Sequence, residues 1–291
     1  MKVGTMKSDL KAAPDFLGIG MQKAGTSWMY EQLKKHPSIW LPERKELHFF
    51  DSITKDDWNT RRQRRALKNI PELTSKLNDL GDRERNHILN ELEENVHLAR
   101  EHNDLDWYRN FWLKVADQTK TRGEITPAYS ILNPKIIQQI YDELNVPKII
   151  LILRNPVERS WSQYKMMTER KSNDPETVYM KSKLLDRGRA QSIIENWEKS
   201  FEAENIFIGF YDDIKERPYW FLENLCAFLN IEFDRNFFPD AEIPVRVSRS
   251  ELCPKHIQDH FISEYASDLK YLADRFQGHT LKWLDQYSLP E

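Results

Sequence analysis

Apolar positions along this chain come in two textures, short unbroken runs and residues spaced three to four apart. Residues 16–19 form one run, with Phe16, Leu17 and Ile19 around Gly18. Ile149-Ile150-Leu151-Ile152-Leu153 is a second, and its β-branched continuity predicts a parallel strand buried on both faces. Residues 206–211 predict a further strand. Helical spacing follows each run. Trp28, Met29 and Leu33 suit a 3.6-residue period that His36-Pro37 closes. Arg154-Asn155-Pro156 ends the second run and opens a helix, and Pro218 opens another over 219–229. Strands alternating with helices predict an α/β fold, a central and mostly parallel sheet flanked by helices. In such sheets ligands sit beyond the carboxyl ends of the strands. Lys23 and Arg154 both fall at such ends.

Between 52 and 121 the texture changes. Arg61, Arg62, Arg64, Arg65 and Lys68 are followed by Leu89, Leu92 and Val96 at helix spacing, which predicts a helical insertion packed on the core. No repeat or linker divides the chain, so it reads as one domain over 1–291. Residues 14–51 carry the first strand and its loop, 52–121 the insertion, and 122–291 the rest of the sheet. Of its 291 residues 40% are hydrophobic and 31% charged, and no apolar run approaches the ~18–20 residues of a membrane span. Met1 to Pro14 lacks the apolar stretch of a signal peptide, so the expectation is a cytoplasmic protein. A net charge of −3 argues against a general nucleic-acid coat, which confines any anion site to a local feature. Cys226 and Cys253 have no metal-like spacing and read as reduced thiols. The nine glycines are about half the ~7% average usage, which directs attention to Gly18, Gly20 and Gly25.

The last two glycines belong to Gly20-Met21-Gln22-Lys23-Ala24-Gly25-Thr26-Ser27, which leaves a strand and opens a helix. Backbone N–H groups and the helix dipole converge there on an anion. The pattern departs from the P-loop of nucleotide hydrolases, because Thr26 stands where that loop has its Lys and the Lys has moved back to position 23. The run 149–153 likewise ends in Arg154 and not in the Asp that would hold Mg²⁺. A cation there suggests a second anionic group on the ligand with no metal between, while a structural ion pair for Arg154 stays open.

These residues carry a resemblance. The stretch from Gly20 to Trp28 resembles the 5′-phosphosulfate loop of PAPS-dependent sulfotransferases, and Leu151 to Ser162 resembles their 3′-phosphate motif. Lys45-Glu46-Leu47-His48-Phe49-Phe50-Asp51 and Gly123-Glu124-Ile125-Thr126-Pro127-Ala128-Tyr129 are similar to the heparan sulfate branch of that family. Phe210 to Lys215, and Trp28, are similar to its cytosolic branch. The resemblance implies metal-free transfer of a sulfuryl group from PAPS to a hydroxyl or amine of a carbohydrate or small-molecule acceptor. It further implies that Lys23, Ala24, Gly25, Thr26 and Ser27 hold the phosphosulfate, that Arg154 and Ser162 hold the 3′-phosphate, and that Trp28 and Tyr211 meet the adenine. Glu46 takes the role of base, with His48 as the alternative, and an extended segment would place the two on one face. Lys23 meets the charge that develops on the leaving group.

The match departs from the family at two places. Ile125 stands where the glycan branch has a Lys, and near the C-terminus only Arg246 and Arg249 offer charge to a loop closing over the cofactor. The arginines of 61–65, with Lys165, Arg187 and Arg189, lie in segments that could face the acceptor. Two other readings stay open at this stage: a P-loop-type nucleotide kinase, which Mg²⁺ dependence would reveal, and a non-catalytic adenine-nucleotide-binding protein.

Overall fold

The computed structural model describes residues 12–53, 56–77, 81–100, 104–114, 116–169, 175–245 and 251–287. Five strands, β1 (Phe16–Gly20), β2 (Ile39–Trp40), β3 (Thr121–Ile125), β4 (Lys148–Leu153) and β5 (Ile206–Phe210), form one sheet in the order β2-β3-β1-β4-β5. Every pairing is parallel, with Gly18 opposite Ile125 on one side and Ile150 on the other. β1 and β4 are inner strands, buried nearly throughout, which is why their sequences are continuous apolar runs.

Helix α1 (Thr26–Leu33) carries the chain from β1 towards β2. The insertion supplies α2 (Asp56–Lys76), α3 (Asp82–Ala99) and α4 (Leu105–Lys114). After β3, a 3₁₀ turn (Pro127–Ile131) and α5 (Pro134–Glu143) lead to β4. Between β4 and β5 lie α6 (Pro156–Thr168), α7 (Pro175–Val178), α8 (Ser182–Leu185) and α9 (Ala190–Glu198). Beyond β5 come α10 (Tyr211–Glu216), α11 (Pro218–Leu229), α12 (Lys255–Phe276) and α13 (His279–Asp285), with α12 laid across α6 and α9. The start of α6 shows how the local sequence sets these boundaries. The Asn155 side chain accepts from the N–H groups of Val157 and Glu158, and Pro156 occupies the first helical position.

From β1 the chain turns towards one edge of the sheet and from β4 towards the other. The loops after these adjacent strands therefore diverge and leave a crevice between them, the place where such sheets bind ligands. No helix among the described residues is long and apolar enough to cross a membrane.

One expected packing face is corrected. In α3, Leu89 and Val96 are 46% and 43% exposed, while Glu94, Asn95, His97 and Leu98 are buried. The inward polar groups have partners there: Glu94 accepts from the backbone N–H groups of Glu43 and Arg44, and the His97 ring meets the Trp107 carbonyl.

Candidate active site

The loop after β1 is shaped by its backbone. Gly25 has φ 87° and directly precedes α1, and a Cβ added there would lie 2.9 Å from Ile214 and 3.0 Å from Tyr211. Only glycine meets both demands. No side chain caps the start of α1, so its first-turn N–H groups are presented at the crevice. Arg154 reaches across from the end of β4. Its Nη1 donates to the Lys23 carbonyl at 3.0 Å, Nη2 pairs with Glu158 at 3.2 Å, and the guanidinium lies 4.6 Å from the centre of the Tyr211 ring. The Arg154 Nε is buried without a partner. Glu158 is a half-exposed carboxylate one turn along α6, so Arg154 is not neutralised in the core. Ser162 is buried two turns into the same helix. Trp28, 4% exposed, donates its indole N–H to the Ala241 carbonyl at 2.9 Å and meets Phe221 edge-on.

The segment after β2 is not a strand, and this corrects the extended face expected for Glu46 and His48. The strand stops at Trp40, and His48 adopts the left-handed conformation with φ 57°. The turn nevertheless brings the two side chains together. His48 Nε2 lies 3.1 Å from Glu46 Oε2, and Nδ1 lies 2.9 Å from Asp51 Oδ2. Lys45 Nζ donates to Glu46 Oε1 at 3.1 Å and to Thr26 Oγ1 at 3.4 Å, joining this turn to the start of α1. Burial alone would raise Glu46, but the hydrogen bond from His48 and the charge of Lys45 outweigh it and hold the carboxyl down at about 2. Burial would likewise lower His48, yet hydrogen bonds to Asp51 and Glu46 push it up to about 9. At neutral pH the turn thus holds a carboxylate at Glu46 against an imidazolium at His48, whose other nitrogen faces Asp51. Asp51 was missed by the sequence reasoning, although its place three residues after His48, at the end of the motif, was a usable signal.

The insertion anchors this turn. Glu94 of α3 accepts from the backbone N–H groups of Glu43 at 2.7 Å and Arg44 at 3.1 Å. Burial pushes its carboxyl up to about 8. Phe49 stacks on Tyr108 of α4 at 4.5 Å between ring centres, and its N–H donates to the Tyr129 hydroxyl at 2.9 Å. Behind these rings Glu124 of β3 is fully buried, and burial again raises it to about 8. The hydroxyls of Tyr129 and Tyr108 face this carboxyl, although neither closes a hydrogen bond of good geometry with it. Ile125, at the position where the glycan branch has a Lys, is buried in the core.

The remaining basic candidates separate. Arg189 pairs with Glu264 of α12 and so braces that helix. Lys165 lies over the Trp161 ring at 5.6 Å. Arg64 and Arg65 are exposed on α2. The side chains of Arg61 and Arg62, and both Arg246 and Arg249, lie outside the described residues. Arg187 is buried beside Asp51. Cys226 and Cys253 are unpaired, and burial pushes their thiols up to about 12 and about 11, away from reactivity.

A family model described as the Sulfotransferase family matches residues 14–235, which include both loops and the end of β4. The chain belongs to the sulfotransferase family. The membrane-associated sulfotransferase kil1 of Dictyostelium discoideum is 27% identical over 161 residues, 55% of this chain and 24% of that protein. The match thus spans about a quarter of that relative's length. Among solved structures, a sulfotransferase from Alicyclobacillus acidocaldarius superposes with a TM-score of 0.64 at 22% identity, covering 93% of this chain and 98% of that one. Mouse sulfotransferase SULT7A1 complexed with PAP gives 0.52 at 15% identity over 96% and 92% of the two chains. At these identities the sulfotransferases share the fold with this chain, a parallel sheet flanked by helices.

Proposed function

We propose that this sulfotransferase-family protein moves a sulfuryl group from PAPS to a hydroxyl or amine of a carbohydrate or small-molecule acceptor, with Glu46 as the base. The observation that carries this reading is the Lys45 ammonium, which touches both the anion loop at Thr26 and the carboxylate of Glu46. One cation thereby couples the group that would accept a proton to the place where an anionic donor would lie.

The residues present fit PAPS. The left-handed Gly25 leaves a cradle that a Cβ would fill, and the buried Nε of Arg154 lacks a partner. In this reading Lys23, Ala24, Gly25, Thr26 and Ser27 take the phosphosulfate, Arg154 and Ser162 the 3′-phosphate, and Trp28 and Tyr211 flank the adenine. When bound, PAPS supplies a sulfuryl group on a good leaving group. Glu46 accepts the proton of the acceptor as the new bond to sulfur forms, and Lys23 meets the charge left on the bridging oxygen. His48, protonated between Glu46 and Asp51, orients the base and cannot itself act as one in that state. The proposal assigns the transfer no metal, since Arg154 stands where a P-loop kinase would hold its Mg²⁺-binding Asp.

Calorimetric titration with adenosine 3′,5′-bisphosphate, and separately with ATP and Mg²⁺, tests the reading in wild type and in Lys23→Ala and Arg154→Ala. Micromolar, metal-independent binding of the bisphosphate, weakened in Arg154→Ala, is the expected result. Binding of ATP-Mg²⁺ alone would overturn it in favour of a kinase.

A further inference from the structure

Arg187 sits in a 3₁₀ turn (Asp186–Gly188) after α8 and is 8% exposed. The turn is fixed from below, since a Cβ on Gly188 would lie 2.5 Å from the Tyr265 ring. Among the described residues Arg187 makes no hydrogen bond or ion pair, and its Nε is buried without a partner. Burying the Nε without a partner is costly, and the two Nη groups of the fork are left unpaired but accessible. The carboxylates that act on it, Asp51 and Glu46, are already held by His48 and Lys45. The geometry therefore calls for an anion from outside the chain.

A cleft of about 420 Å³ runs from Asp51 to Arg187, a size common among small-molecule sites. Phe50, Ala128, Leu132 and Ile136 give it apolar walls, and Asn133 with the exposed Lys135 and Lys183 line it too. The apolar walls suit a hydrocarbon or aromatic body. The guanidinium fork suits one planar, two-oxygen anion.

We propose that the acceptor is a small amphiphile, a hydroxy compound with an apolar body whose carboxylate docks on Arg187 while its hydroxyl reaches Glu46. This names the substrate class for the reaction proposed above and rests on that reading. The carboxylate stays intact, and the hydroxyl proton passes to Glu46 as the oxygen takes the sulfuryl group.

The test uses ω-hydroxy carboxylates of graded length, from hydroxyhexanoate to hydroxydodecanoate, each paired with its methyl ester. Binding is read by calorimetry with and without adenosine 3′,5′-bisphosphate, and transfer is read with PAPS. The acid of the best length is expected to exceed its ester by at least about tenfold in affinity and in kcat/KM. Arg187→Gln abolishes that preference with bisphosphate affinity unchanged, and Arg187→Lys retains part of it. Lys135→Gln and Lys183→Gln, at exposed positions that leave folding intact, lower the preference by about two- to threefold. Acid and ester behaving alike in wild type, with the bisphosphate still bound, would overturn the acceptor class and leave sulfuryl transfer standing. Failure to bind the bisphosphate would remove the transfer reading, and the cofactor-free binding arm would still decide whether Arg187 holds a carboxylate.

Discussion

The loop after β1 and the turn after β2 both face the crevice, yet they are held in opposite ways. The first lies between an inner strand and a helix, and its shape follows from Gly25, the start of α1 and one bond from Arg154 to a backbone carbonyl. The second follows a strand of only two residues and depends on side chains far away in sequence, namely Glu94, Tyr108 and Tyr129. The sheet thus fixes the loop proposed to hold the anion, while the insertion, with Tyr129 after β3, fixes the proposed base. Damage to one half should leave the other intact, and this is open to attack by mutation.

The strongest test of the separation is Glu46→Gln, which should lower kcat by about 10²–10⁴-fold and leave bisphosphate affinity unchanged. Loss of both together would show the two loops to be one unit. Next is Glu94→Ala, which strips the acceptor from two partly buried N–H groups at a cost of about 1 kcal/mol for each. Turnover should fall about tenfold with bisphosphate binding again unchanged, as measured by steady-state kinetics beside calorimetry.

The pH dependence sharpens the same contrast. Glu94 and Glu124 are raised from 4.5 to about 8, so the folded state holds more protons than the unfolded state between those values. Their contribution to stability is complete below 4.5 and is lost as pH rises through about 8. His48, raised from 6.5 to about 9, adds to the alkaline loss. Glu46, lowered from 4.5 to about 2, contributes above 4.5 and loses its contribution as pH falls through about 2. Melting temperature should therefore decline from mildly acidic to alkaline pH, and Glu124→Gln should flatten that slope. Turnover should hold across neutral pH and fall above about 9 as the imidazolium is lost, whereas a base at His48 would make it rise there. The smallest effect expected is that of Tyr129→Phe, about 1 kcal/mol in denaturant unfolding from the lost bond to Phe49.

The same division decided what could be read from the chain. Buried parallel strands are written as unbroken apolar runs, and a strand-loop-helix turn is local, so β1, β4 and the positions of Lys23 and Arg154 at their carboxyl ends were legible. Glu46 and His48 were picked out as a pair, but through an extended face that the left-handed His48 replaces. Glu94 was illegible because it meets Glu43 across 51 positions, and a glutamate in a charged helix carries no mark of burial. The apolar spacing of Leu89 and Val96 pointed to the wrong side of that helix. The reach of Lys45 to Thr26 across 19 positions exists only in three dimensions.

Because α3 and α4 grip the turn that bears Glu46, the insertion offers evolution and protein engineering a separate handle. Its outward positions, Leu89 and Val96 among them, are open to drift or to grafting of new surface. Glu94 and Tyr108 are the positions a redesign must keep. A lineage that rewrites the rest of the insertion can change what the proposed catalytic turn meets while the loop that the sheet fixes stays as it was.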